Sequence, residues 1–208
     1  MMTTQSIADF LEELASATPT PGGGGAAALM GAMGAGLIAM VAQVTVGKKG
    51  QDTQFPEMER QIGEADALRR EFTTMISADA AAFDGLMSAF KLPKDSVEAI
   101  DRRAAIIQQG YQAATEVPLS CIRACLRGLA LARRSAEQGH RNVLSDSGVA
   151  VHALLAALRS AILNVQINVP AIKDQAFVDA ALNEVRAAEE EAGASAGMTL
   201  AVVMARLS

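Results

Sequence analysis

Asp79 is the residue whose type conflicts most with its place in the chain. The segment after Pro56 repeats apolar residues at helical spacing, with Met58, Ile62, Ala65, Leu68, Phe72, Met75/Ile76, Phe83 and Leu86/Met87 in one stripe. Asp79 falls three residues after Ile76 and four before Phe83, so it shares the face turned toward the core. A buried ionised carboxylate needs a partner, because desolvation costs several kcal/mol. Either an Arg from a neighbouring helix pairs with Asp79, or the carboxylate stands in a cleft for acid–base work or for a cationic ligand.

Other polar residues are out of place in the same way. Ser160, Asn164 and Asn168 recur every four residues in a segment otherwise built of Ala, Leu, Ile and Val. They share one helix face, where buried amides must find partners in another helix or in a polar heterocycle. One Asn is expected to bond a neighbouring helix and the other a ligand. Pro21-Gly-Gly-Gly-Gly25 leads into a helix and would present backbone N–H groups and a positive dipole end. It is no P-loop, since no Gly-Lys-Ser/Thr follows and no strand precedes it. Lys48 and Lys49, at the far end of that helix, offset its negative dipole end or recruit an anionic ligand. Ser145-Asp146-Ser147 reads as a helix cap. Cys121 and Cys125 read as small core residues, and His140 and His152 complete no metal-ligand spacing, so no metal site is expected.

The elements that must position these residues are helical. The chain has 208 residues, 50% hydrophobic, with six Phe, one Tyr and no Trp. Ala is abundant and Val and Ile never alternate, which predicts an all-α protein. Helices are expected over Ser6 to Ala15, Ala26 to Val46, Pro56 to Ala89, Ser96 to Gln138 with an interruption or kink at Pro118, Gly148 to Asn168, and Asp174 to Glu191. Gly193 and Gly197 would interrupt the last before an apolar tail, Met198–Leu207. Together they make one domain over 1–208, a bundle of about six or more helices around a buried Ala/Gly-rich central helix. That central run, 26–46, is long enough to span a bilayer. Its Ala/Gly content, with Gln43 and Thr45 in its last turns, favours the core of a soluble bundle over a membrane. A net charge of −5 without a basic stripe argues against nucleic acid. No basic-then-apolar leader opens the sequence, so a cytoplasmic protein is expected.

Read together, the motifs resemble the cyclodeaminase/cyclohydrolase family of folate enzymes. The resemblance is carried by Thr18-Pro-Thr-Pro-Gly-Gly-Gly-Gly-Ala-Ala-Ala, Gly-Ala-Met-Gly-Ala, Met40-Val41, Thr45 and Gly47-Lys48-Lys49. Asp79-x-x-x-Phe83, Leu92-Pro93-Lys94, Ala114-Thr-Glu-Val-Pro118-Leu, Ser145-Asp146-Ser-Gly-Val-Ala150 and Asn164-Val-x-x-Asn168 add to it. It implies an all-helical homodimer acting on a small folate without metal or nucleotide cofactor. The expected reaction is hydrolysis of 5,10-methenyltetrahydrofolate to 10-formyltetrahydrofolate. The alternatives are a formimidoyltetrahydrofolate cyclodeaminase that releases ammonia and a folate-binding helical protein without catalysis. On this reading Asp79 and Lys48 are catalytic. Pro21, Gly22, Gly23, Gly24, Thr45, Lys49, Asn142, Asp146, Asn164 and Asn168 bind substrate, with Lys49 drawing in the glutamate tail. Two departures stand out: family members often carry Ser where Gly25 stands, and a second Asn near His140.

Overall fold

The computed structural model describes residues 5–46, 48 and 55–208. Six α-helices follow one another: α1 Ile7–Leu14, α2 Gly23–Thr45, α3 Phe55–Phe90, α4 Val97–Gln138, α5 Leu144–Asn168 and α6 Gln175–Leu207. Short 3-10 turns at Arg141–Val143 and Val169–Ala171 flank α5. Local chemistry marks several starts. Ser6 and Asp9 form a reciprocal capping box on α1, Ser96 accepts from the Ala99 N–H of α4, and Asp174 accepts from the Phe177 N–H of α6.

The bundle is built on α2, which packs between α3 and α5 and also touches α4. Small residues make this possible. A Cβ on Gly31 would stand 2.5 Å from the Phe72 ring of α3, and one on Gly34 would stand 2.8 Å from Leu154 of α5. Gly128 of α4 gives way to the same Leu154, where a Cβ would stand 2.7 Å away. Both α3 and α5 run antiparallel to α2: Gly24 meets Asp79 and Gly31 meets Phe72 on one side, while Gly23 meets Asn164 and Gly34 meets Leu154 on the other.

Several boundaries differ from the sequence expectation. Helix α2 starts at Gly23 rather than Ala26, and the close approach of Asp79 leaves no room for a side chain at Gly24 in its first turn. Helix α5 starts at Leu144, so Ser145, Asp146 and Ser147 lie inside its first turn and do not cap it. Ser147 is instead buried and shares a 2.8 Å hydrogen bond with Ser135 of α4. Helix α4 runs unbroken past Pro118, and α6 runs unbroken past Gly193 and Gly197, where a Cβ would meet nothing. Of the apolar residues expected to bury α1, only Phe10 is fully buried, and Ile7 and Leu11 are exposed.

Two stretches, Gly23–Thr45 and Arg141–Ala171, are long and apolar enough to cross a membrane, where the sequence reading recognised only the first. About half of each apolar window is buried within the bundle (56% and 50%). The remaining surface of α2 carries an outward stripe of Ala26, Leu29, Met33, Leu37 and Met40, none of them fully buried. Val149, Leu163 and Ile167 of α5 are likewise exposed.

Candidate functional site

Asp79 has no cationic partner among the described residues. Its Oδ2 accepts a 3.1 Å hydrogen bond from the backbone N–H of Gly25, in the first turn of α2. The carboxylate thus sits against a helix N-terminus, where orphan N–H groups and the macrodipole stabilise negative charge. Burial pushes its pKa above the ordinary value of 3.8, and the Gly25 hydrogen bond opposes that rise without cancelling it. Of the two readings open at the outset, pairing with an Arg is not found among the described residues of this chain.

Gly24 makes the approach possible. A Cβ there would lie 2.1 Å from Asp79 Oδ1 and 2.4 Å from its Cγ. Gly25 next to it has ordinary room, with Pro21 Cβ at 3.6 Å and Ile76 Cγ2 at 3.9 Å from an added Cβ. Pro21 itself is buried behind the turn, so it supports the glycines and does not line the cavity.

In front of Asp79 lies a cavity of about 390 Å³, within the range of small-molecule sites. Pro19, Thr20 and Gly22–Gly24 form its floor, and Asp79, Phe83 and Leu86 of α3 form one wall. Tyr111 and Ala114 of α4 and Asn164, Ile167 and Asn168 of α5 close it. The Gly23 and Gly24 N–H groups have no acceptor among the described residues. Asn168 Nδ2 donates to Ala114 O at 3.1 Å, which is the helix–helix bond expected of one Asn. Asn164 Nδ2 donates to Ser160 O at 2.8 Å in its own helix. Two other depressions, of about 420 and 610 Å³, run along the α3–α4 face. Their charged residues are paired, Glu71 with Arg127, Glu64 with Arg134 and Glu116 with Arg123, so they offer no uncommitted reactive group.

Six of the residues singled out from the sequence therefore meet in one cavity: Gly22, Gly23, Gly24, Asp79, Asn164 and Asn168. Others do not. Thr45 is fully buried and donates to Val41 O at 2.7 Å while accepting from the His140 N–H at 2.8 Å, so its hydroxyl ties α2 to the α4–α5 connection and does not face a ligand. Lys48 is exposed beyond the C-terminus of α2, whose 23 residues put it about 34 Å from the glycines. Within one chain it cannot act on whatever Asp79 holds. Asn142 is exposed, and Asp146 is half-buried at the Lys48 end of the bundle. Lys49 lies outside the described residues. Tyr111, Ile167 and Met87 line the cavity without having been expected there. Tyr111 had a signal that could have been used: it is the sole Tyr and precedes Ala114 by one helical turn.

Among the described residues, no group of three or more His, Cys, Asp or Glu gathers where it could hold a metal. Cys121 and Cys125 are free and buried, and their mutual hydrogen bond and burial push the Cys125 thiol up, so both are inert core residues.

Comparison with known proteins adds to this geometry. Residues 6–187 match the model of the formiminotransferase-cyclodeaminase family. The chain belongs to that family. A methenyltetrahydrofolate cyclohydrolase of Methylorubrum extorquens is 46% identical over 194 residues, which cover 93% of each chain. A formimidoyltransferase-cyclodeaminase of Mus musculus is 33% identical over 201 residues, 97% of this chain but only 37% of the mouse protein. Among solved structures, a formiminotetrahydrofolate cyclodeaminase of Thermotoga maritima matches with a TM-score of 0.90 at 27% identity, with both chains covered completely. The family expectation of Ser at position 25 is sterically compatible with this fold, because Gly25, unlike Gly24, has room for a Cβ.

Proposed function

We propose that the chain hydrolyses 5,10-methenyltetrahydrofolate to 10-formyltetrahydrofolate, with Asp79 as the catalytic carboxylate. The observation that carries this reading is a partly buried carboxylate facing a cavity in which no cationic side chain among the described residues neutralises it. Such a site is complementary to a cation, and the methenyl bridge delocalises a positive charge over N5, carbon and N10. The full-length relationship to a cyclohydrolase supports the same chemistry.

Water attacks the bridging carbon and passes one proton to Asp79. The adduct then collapses: its C–N5 bond breaks, N5 takes up a proton, and the hydroxyl proton is lost as the formyl C=O forms on N10. One proton is released per turnover. The carbon is already electrophilic, so this route needs no metal or nucleotide cofactor, and it is assigned to the cytoplasm.

The reading also includes a homodimer. Asp79 and Lys48 lie at opposite ends of α2, and the apolar stripe between them is centred near Met33, which is 58% exposed. A second copy laid antiparallel along this stripe would bring the partner subunit's Lys48 and the partner subunit's Asp146 to each Asp79 cavity. Lys48 then serves as proton donor or as a charge that tunes the carboxylate, a role it cannot fill within its own chain.

Loss of the near-ultraviolet methenyl band with purified protein, measured against a blank, tests the reaction. No acceleration, together with ammonia release from formimidoyltetrahydrofolate, would assign the deaminase instead. Failure with both substrates would leave a binding protein. Mixing inactive Asp79→Asn and Lys48→Met chains tests the dimer: random re-pairing should restore about a quarter of wild-type activity, because half of the dimers regain one of two sites. Absence of recovery after demonstrated exchange overturns the shared site.

A further inference from the structure

The two asparagines of the cavity are locked in one orientation. A backbone carbonyl can only accept, so the atom that meets Ser160 O at 2.8 Å must be the nitrogen of Asn164. The atom that meets Ala114 O at 3.1 Å must likewise be the nitrogen of Asn168. Each amide group is therefore anchored through its NH₂, which leaves its Oδ1 as the remaining polar atom. Neither Oδ1 receives a hydrogen bond among the described residues, and both side chains line the cavity. Their four-residue spacing stacks them on one face of α5, with side-chain bases about 5–6 Å apart. The first turn of α2 lies beside this pair, with the Cβ position of Gly23 in ordinary contact, 3.5 Å, with Asn164 Oδ1.

We infer that Asn164 and Asn168 form a fixed pair of hydrogen-bond acceptors that reads the N–H donors of the ligand's heterocycle, and that the exocyclic 2-amino group of a reduced pterin is one donor they select. The inference rests on the folate reading above. It adds the orientation of the ring: its donor-bearing pyrimidine faces α5, which leaves the cationic bridge for Asp79 and the first turn of α2. A ligand without that amino group would leave a desolvated amide oxygen unpaired, a larger loss than the bond alone. Locking matters because a freely rotating Asn would offer its NH₂ to an acceptor equally well.

The test pairs a change in the ligand with a change in the protein. Calorimetry would compare 10-formyltetrahydrofolate with its 2-desamino-2-methyl counterpart on wild type, Asn164→Leu and Asn168→Leu. Wild type should favour the amino ligand by about 10-fold or more, and the preference should shrink to within about threefold in at least one variant. The wild-type comparison needs no mutation, so it stands even where a Leu variant folds poorly. Equal binding of both ligands by wild type overturns the inference and leaves the folate reading intact. So does a preference that persists in both variants. Failure of wild type to bind either ligand overturns the folate reading itself.

Discussion

Replacing Gly24 by Ala tests whether a missing side chain is what puts Asp79 in place. The added Cβ would stand 2.1 Å from Oδ1, 2.4 Å from Cγ and 2.7 Å from Oδ2 of Asp79, where carbon atoms in contact lie about 3.5–4.0 Å apart. The carboxylate must retreat by roughly 1 Å or rotate away, and a displacement of that size at a reacting group costs about 10²-fold in rate. Stability should respond far less. Losing the charge-assisted bond to the Gly25 N–H costs about 1.5–3 kcal/mol. Ala in place of Gly in a helix returns about 0.5–1 kcal/mol, and the displaced carboxylate regains solvent.

The assay is the rate of methenyl band loss, read beside a thermal melt. Gly24→Ala should lower kcat/KM about 100-fold while the protein stays folded. Gly25→Ala is the internal control, because its Cβ meets only Pro21 and Ile76 at ordinary distances, and it should keep near-normal activity. If Gly24 acts only through Asp79, adding Gly24→Ala to Asp79→Asn should cost less than about threefold more. A Gly24→Ala enzyme within threefold of wild type, or losses that multiply in the double variant, would refute the argument.

Three further outcomes follow from the same geometry. Burial raises the Asp79 pKa, so the folded state holds its proton more tightly than the unfolded chain, and stability falls as pH rises from 3.8 through the raised value. Asp79→Asn should therefore be more stable than wild type at neutral pH, with the gap closing below the ordinary carboxylate range, as read by urea unfolding across that interval. For the same reason the acid limb of kcat/KM should lie above the ordinary Asp value, and Asp79→Asn should remove that limb from whatever activity remains. Gly31→Ala would drive a Cβ to 2.5 Å from the fully buried Phe72 ring, and overpacking of that kind should cost about 1–3 kcal/mol in chemical denaturation, with little change in kcat for the folded fraction.

How far the sequence could be read depended on whether each signal was local. Asp79 was legible because the stripe from Met58 to Met87 sets a helical phase that an Asp violates. Its partner was not, because a backbone N–H leaves no trace in side-chain patterning. The glycines were read as a turn, as their low helix propensity suggests. Tertiary demand overrode propensity at Gly24, which is helical with the Asp79 carboxylate standing where a side chain would. Ser145 to Ser147 matched a cap by type, but the burial of Ser147 against Ser135 is a contact between helices that no local pattern carries. Tyr111 was missed for a related reason, since Ile107 one turn before it and Ala114 one turn after give it the phase of an ordinary core residue.

Helix α2 also explains why the recognised residues divide into two groups. A motif list treats Gly22–Gly24 and Thr45–Lys48 as one opening block, yet a straight helix converts that interval into about 34 Å. Only the N-terminal end can hold the carboxylate as seen here, because the interior N–H groups of α2 are committed to its own carbonyls and those of the first turn are not. That backbone partner has a consequence for chemistry. An Arg beside Asp79 would have stabilised the carboxylate and cancelled its charge. The Gly25 N–H stabilises it through a dipole, and the full negative charge stays available to a cationic ligand.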